Sequence, residues 1–304
     1  MSVPTSSDRE VSGVPSGADA VRRLYAGDHT LWRDDPTEIT DRLGWLVVVS
    51  EVWRVLDRVR ERTDRLIEGM DHVLLMGMGG SSLFPEVLAR TFPREVGYPQ
   101  LHVLDTTHPG AIARVARECP PERTLHVASS KSGSTIETRS HLDWAWERCG
   151  QGAHGRFAVI TDPGSELGQL ATSRGFAQVF ENREDIGGRY SALSLFGVVP
   201  ALLAGFDAES LVRGGLEALQ ECGPEESPSA NPALALARQM ANGVAVGHDK
   251  LTFRLSDDVA TFGLWLEQLV AESLGKDGVG LVPVVGEVPG PPKVYGADRT
   301  FVDL

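Results

Sequence analysis

Between residues 73 and 180 the chain carries five short apolar runs, Val73–Gly77, Leu101–Asp105, Thr124–Ala128, Phe157–Thr161 and Ala177–Phe180. Amphipathic stretches such as Leu83–Thr91, Ile112–Glu118 and Thr135–Arg148 fill the intervals. The runs have strand length and the stretches repeat their apolar positions at helical spacing, so the pattern predicts a parallel sheet with helices on both faces. This α/β unit is expected over 71–215, behind a helical extension, 18–70, built on Ala18–Tyr25 and Trp45–Glu68. The first residues, 1–17, are rich in Ser, Pro and Gly without an apolar core, and are expected to be flexible rather than a secretory signal. The longest apolar run, Phe196–Phe206, contains Pro200 and two glycines and is too short to cross a bilayer.

Sheets of this kind bind ligands beyond the carboxyl ends of their strands. The first run ends in Gly77-Met78-Gly79-Gly80-Ser81-Ser82, where glycines allow a ligand to approach the backbone. A dinucleotide fingerprint fits poorly, because Ser82 stands at the third glycine position and the acidic Asp105 comes late. The third run ends in Ser129-Ser130-Lys131-Ser132-Gly133-Ser134-Thr135, followed by Glu137 in a first helical turn. Short hydroxyls, a lysine and the free N–H groups of a helix N-terminus replace much of a phosphate's hydration shell.

Two further segments carry chemistry. Gly187-Gly188-Arg189-Tyr190-Ser191 turns sharply and presents a guanidinium, which either ties the loop to a carboxylate or faces a ligand. Asp258–Leu274 reads as a helix that is apolar on nearly every face and therefore buried, with Gln268 and Glu272 together at i,i+4. A carboxylate in that setting either pairs with a cation or has its pKa raised by desolvation, which is how a general base is poised.

The net charge of −13 argues against nucleic acid as a partner, since no basic stripe offsets it. The three cysteines, Cys119, Cys149 and Cys222, form no C-x-x-C pair, which suits a reducing cytoplasm and argues against a cysteine zinc site. The eight histidines show no i,i+4 pair, so no metal or other cofactor is expected.

Taken in order, Gly77–Ser82, Ser129–Thr138, Gly187–Ser191 and Glu267–Lys276 resemble the signature segments of glucose-6-phosphate isomerase, in the bacterial form often fused behind a transaldolase. The similarity runs from about Arg22 to Leu304. It implies a sugar-isomerase (SIS) fold, a doubly wound five-stranded parallel sheet flanked by helices, and a homodimer or pairing with a partner SIS domain. It implies interconversion of glucose 6-phosphate and fructose 6-phosphate through a cis-enediolate, without a metal or cofactor. Ser81, Ser130, Ser132 and Thr135 would bind the sugar phosphate, with Lys131 and Glu137 beside them and Gly80 and Gly188 in the same substrate-binding set. Arg189 would stabilise the negative intermediate, Glu272 would move the proton, and Gln268 would line the site. On this pattern 216–285 is a helical segment carrying the base, and 286–304 is a linker opening a second SIS domain, so the final third to half of the family pattern is expected to be absent. The family's ring-opening histidine falls in that part, and none of His102, His108, His126, His141 or His248 lies in its motif. A non-catalytic sugar-phosphate-binding module, or one half of a heteromeric isomerase, is the alternative.

Overall fold

The computed structural model describes residues 16–304 except 151 and 277, so nearly all of the terminus expected to be flexible lies outside the described residues. The elements run α1 (Gly17–Tyr25), α2 (Trp45–Ile67), β1 (His72–Gly77), α3 (Leu83–Thr91), β2 (Gln100–Leu104), α4 (Pro109–Glu118), β3 (Thr124–Ser129), α5 (Ile136–Cys149), β4 (Phe157–Thr161), α6 (Glu166–Arg174) and β5 (Gln178–Glu181). They continue with α7 (Leu195–Leu203), α8 (Ala208–Glu221), α9 (Pro232–Ala245), β6 (Lys250–Arg254), α10 (Phe262–Leu274), β7 (Val282–Val284) and β8 (Arg299–Asp303). The five apolar runs are β1 to β5 and form one parallel sheet, as expected; its strand order is β2-β1-β3-β4-β5.

Strand alternation divides the sheet's side chains between two cores. Val73, Leu75, Leu125, Val127, Ala158, Ile160 and Phe180 meet α2, α7 and α8 on one face. Leu74, Met76, Leu104, Ala128, Phe157 and Val159 meet Val115 of α4, Leu142 and Ala145 of α5, and Leu167 and Ala171 of α6 on the other. Burial on both faces explains why β1, β3 and β4 read as continuous apolar runs. The Phe196–Phe206 run supplies α7, whose residues from Phe196 to Leu203 are all buried. No helix among the described residues is long and apolar enough to cross a membrane.

In this strand order the chain runs outward to β2 on one side of β1 and to β3 on the other. The loops after β1 and β3 therefore part at a topological switch point, where α/β sheets open a crevice. An N-terminal strap closes one side of it. The Gly44 amide donates to the Asp185 carbonyl at 2.8 Å, Leu43 bridges to Ile186, and Arg183 of the β5–α7 connection donates to Glu51 of α2.

Two expectations change. The segment 216–285, read as helical, also contributes β6 and β7, which join β8 in a second parallel sheet ordered β7-β6-β8. The helix expected over Asp258–Leu274 starts at Phe262, and it is not buried all round. Only Gly263 and Val270 are buried, while Leu264 and Leu274 are 37 % and 41 % exposed. Its apolar circumference exceeds what the small core of Leu251, Phe253, Val270 and Leu281 can cover.

Candidate functional site

A cleft of about 490 Å³ opens at the switch point, lined by Gly80, Ser81, Ser130, Lys131, Ser132, Thr135 and Gly188 together with Arg42, Thr138 and Asp162. Its floor depends on glycine. Gly79 adopts φ +54°, and Gly80 packs so tightly on the next loop that a Cβ there would lie 2.0 Å from the Gly188 carbonyl oxygen. Ser191 Oγ binds this contact together, donating to Gly188 O at 2.6 Å and lying 3.1 Å from Gly80 O. Ser129 at the end of β3 donates to the Ser81 carbonyl at 2.9 Å, fixing the two hydroxyl-rich loops side by side.

The far wall is the N-terminus of α5. Ser165 and Ser194 cap α6 and α7 with their hydroxyls, but Thr135 makes no such bond to α5. Thr135 Oγ1 instead lies 3.2 Å from Ser130 Oγ, and the first-turn N–H groups of α5 stay available at the cleft. Thr138 Oγ1, buried one turn in, has no hydrogen-bond partner among the described residues. Lys131 does not point a free charge into the space. Its ammonium is held by the Asp162 carboxylate and donates to the Glu184 carbonyl. Burial pushes the Asp162 carboxyl above its ordinary range, against the opposing pull of Lys131. An anion here is met chiefly by hydroxyls and backbone N–H groups, each hydrogen bond to a charged group contributing about 1.5–3 kcal/mol.

A second cavity of about 850 Å³ lies across the Gly187–Arg189 turn, and Arg42 lines both spaces. It holds Arg189, Tyr190, Glu272, Ser273, Lys276 and Trp45. Arg189 donates to Ser273 Oγ at 2.8 Å and to Glu272 Oε2 at 3.2 Å, and its guanidinium lies over the Tyr190 ring. Tyr190 Oη is 2.9 Å from Ser273 Oγ, and its ring stacks on Trp45. Gln268 donates to Glu272 Oε1 at 3.0 Å and reaches back to Gly79, whose absent Cβ would lie 2.9 Å from the Gln268 amide nitrogen. Of the two settings open to Glu272, the structure adopts the ion pair; its side chain is 49 % exposed rather than buried.

Seven of the eleven expected residues thus share the first cleft, and Arg189 and Glu272 share the second cavity. Gln268 bridges from Glu272 toward Gly79, while Glu137 is absent from both linings. Arg42, Thr138 and Ser273 were not expected. Arg42 arrives through the strap, which no local motif announces, whereas Thr138 sits one helical turn beyond Thr135, and that spacing was a usable signal.

A family model described as phosphoglucose isomerase matches residues 29–299. A glucose-6-phosphate isomerase from a Cyanothece species is 30 % identical over 244 residues, covering 75 % of this chain and 46 % of that protein. A hypothetical protein from Thermus thermophilus superposes with a TM-score of 0.78 at 29 % identity, covering 94 % of this chain and 69 % of the other. A glucose-6-phosphate isomerase from Chlamydia trachomatis superposes with a TM-score of 0.66 at 22 % identity, over 88 % of this chain and 53 % of that one. The chain spans about half the length of the curated relatives it matches.

Proposed function

The chain belongs to the phosphoglucose isomerase family, and from that premise we infer that it carries the phosphate anchor and proton-transfer pair of an aldose–ketose isomerase interconverting glucose 6-phosphate and fructose 6-phosphate. The observation that carries this reading is the adjacency of the two spaces. A hydroxyl-lined helix N-terminus and an Arg189–Glu272 pair stand on opposite sides of one three-residue turn, Gly187–Arg189.

A phosphoryl group seated against Ser81, Ser130, Ser132, Thr135 and the first turn of α5 leaves the sugar chain to cross that turn toward Glu272. Binding energy at the remote phosphate then holds carbon 2 against the carboxylate. Glu272 takes the proton from carbon 2 and returns it to carbon 1, while the hydroxyl proton on oxygen 2 passes to oxygen 1 through solvent. Charge that develops on oxygen in the enediolate is met by Arg189, which Ser273 and the Tyr190 ring hold in place. Because the Glu272 side chain is half exposed and that of Arg189 partly so, the pair contributes only about 0–1 kcal/mol, and substrate can separate the two groups at little cost.

The same reading makes the protein a homodimer, or a chain that pairs with a second SIS domain. Exposed Leu264, Leu274, Val282 and Phe301 on α10 and the small sheet support such pairing. A cytoplasmic setting is supported by Cys119, Cys149 and Cys222, all free thiols.

The test is conversion of fructose 6-phosphate to glucose 6-phosphate by the purified chain, read with a coupled dehydrogenase, with Glu272→Gln as control. Activity that is lost in the variant supports the isomerase. Hexose-phosphate binding without turnover supports the non-catalytic binding module instead.

A further inference from the structure

Three side chains from three elements converge at the opposite end of the sheet from the phosphate cleft. His72 opens β1, His102 lies in the middle of β2, and Cys119 follows the last residue of α4. One ring nitrogen of each histidine and the Cys119 Sγ lie within 4.8 Å of one another. His72 Nδ1 stands 3.1 Å from His102 Nε2, close to the separation of two imidazole nitrogens on one tetrahedral ion with bonds of about 2.0 Å. The other nitrogen of His102, Nδ1, faces Glu118 Oε2 at 3.5 Å. A carboxylate behind a histidine in this way fixes the ring's tautomer and presents Nε2 as a ligand.

We propose that His72, His102 and Cys119 form a binding site for a divalent cation of the zinc class, with Glu118 orienting His102 from behind. Two imidazoles and a thiolate suit zinc better than magnesium or calcium, which take oxygen ligands. Three protein ligands leave a fourth position, which the partly exposed His72 and His102 open to water. On binding, the Cys119 thiol gives its proton to solvent and the cation loses coordinated water. The nearby Asp71 carboxylate is already paired with Arg123 through two bonds of 2.8 Å, so it does not compete as a ligand.

Its place in the fold gives the site a structural role. β1 separates His72 from Gly77 by about 17 Å, at roughly 3.3 Å per residue, so the cation touches none of the residues assigned to the sugar phosphate. It ties β1, β2 and the end of α4 together. The sequence could not announce this, because the ligands are 30 positions apart between His72 and His102 and form no local spacing motif.

Cobalt(II) titration of the full chain tests the site. The expected result is a thiolate-to-cobalt charge-transfer band that saturates at one equivalent and is abolished by zinc(II). Cys119→Ser removes the band, Cys149→Ser and Cys222→Ser retain it, and Glu118→Gln weakens cobalt binding about 10–100-fold. Circular dichroism without metal checks that each variant folds. If Cys119→Ser does not fold, His72→Asn at the strand's half-buried start takes its place and loses at least tenfold in affinity. No charge-transfer band in the wild-type chain, a band that survives Cys119→Ser, or one that disappears in Cys149→Ser overturns the proposal.

Discussion

Gly80 and Gly188 meet backbone to backbone, with room for no side-chain carbon on Gly80, and this contact joins the loop after β1 to the turn that carries Arg189. The clash is with a carbonyl oxygen held by Ser191, not with the end of a flexible side chain. Gly80→Ala should therefore destabilise the chain by about 1–3 kcal/mol or more and separate the two loops. Urea unfolding checks the stability, and a midpoint equal to wild type contradicts the packing.

Thr138→Val tests the buried hydroxyl in the cleft. Its Oγ1 has no partner among the described residues, so the isosteric change should leave stability unchanged or slightly raised. Affinity for hexose phosphate should nevertheless fall by roughly 10- to 150-fold, the loss of one hydrogen bond to a charged group at about 1.5–3 kcal/mol. Calorimetric titration beside thermal melts separates the two effects, and unaltered affinity places the hydroxyl outside the binding set.

Glu272→Gln keeps the shape of the carboxylate and its bond from Gln268 within reach, yet removes the base. Turnover should fall by about 10²–10⁴-fold with phosphate affinity little changed. Solvent deuterium uptake at carbon 2 is the sharpest readout. Undiminished uptake in the variant assigns the proton to another group.

His126 predicts an acid limb in stability. Burial, helped by the charges of Arg148 and Arg156, pushes its pKa down to about 4 from an ordinary 6.5. The native state keeps the ring neutral against Phe157 while the unfolded chain takes up a proton. Its contribution is complete above pH 6.5, and it is lost as pH falls toward 4, on the order of 3 kcal/mol. His126→Phe preserves the stack and should flatten the melting temperature over that window. An identical acid limb in the variant traces the loss to other groups.

What the sequence showed and hid divides along physical lines. The apolar runs located β1 to β5 within a residue or two, since β1, β3 and β4 are buried along nearly their whole length and each run has strand length between amphipathic helices. Ser130, Ser132 and Thr135 were legible as a cluster because one βα junction carries them all. Arg42 was not, since its place follows from Gly44 bonding to Asp185 across the whole sheet unit. α10 misled for a different reason. An apolar circumference signals burial only when the chain itself supplies enough partners, and here Leu264 and Leu274 face solvent. Ser273 shows how a polar residue in an apolar helix can serve as a bracket for an arginine 84 positions away.

The strap that carries Arg42 also has a kinetic side. Beside it, the clasp between Glu51 of α2 and Arg183 joins residues 132 positions apart. Closing so long a loop is expected to come late in folding, after the helices and nearest strand pairs have formed. During synthesis the phosphate cleft cannot exist until the turn at Gly188 has left the ribosome, and the pair at Glu272 must follow later still. Sugar phosphate would thus engage only chains in which the cleft and the Arg189–Glu272 pair are both in place, adding about 2.7 kcal/mol to them at a hundred times its dissociation constant. Resistance to proteolysis in the presence of the sugar would then report a finished chain, where helix content alone would not.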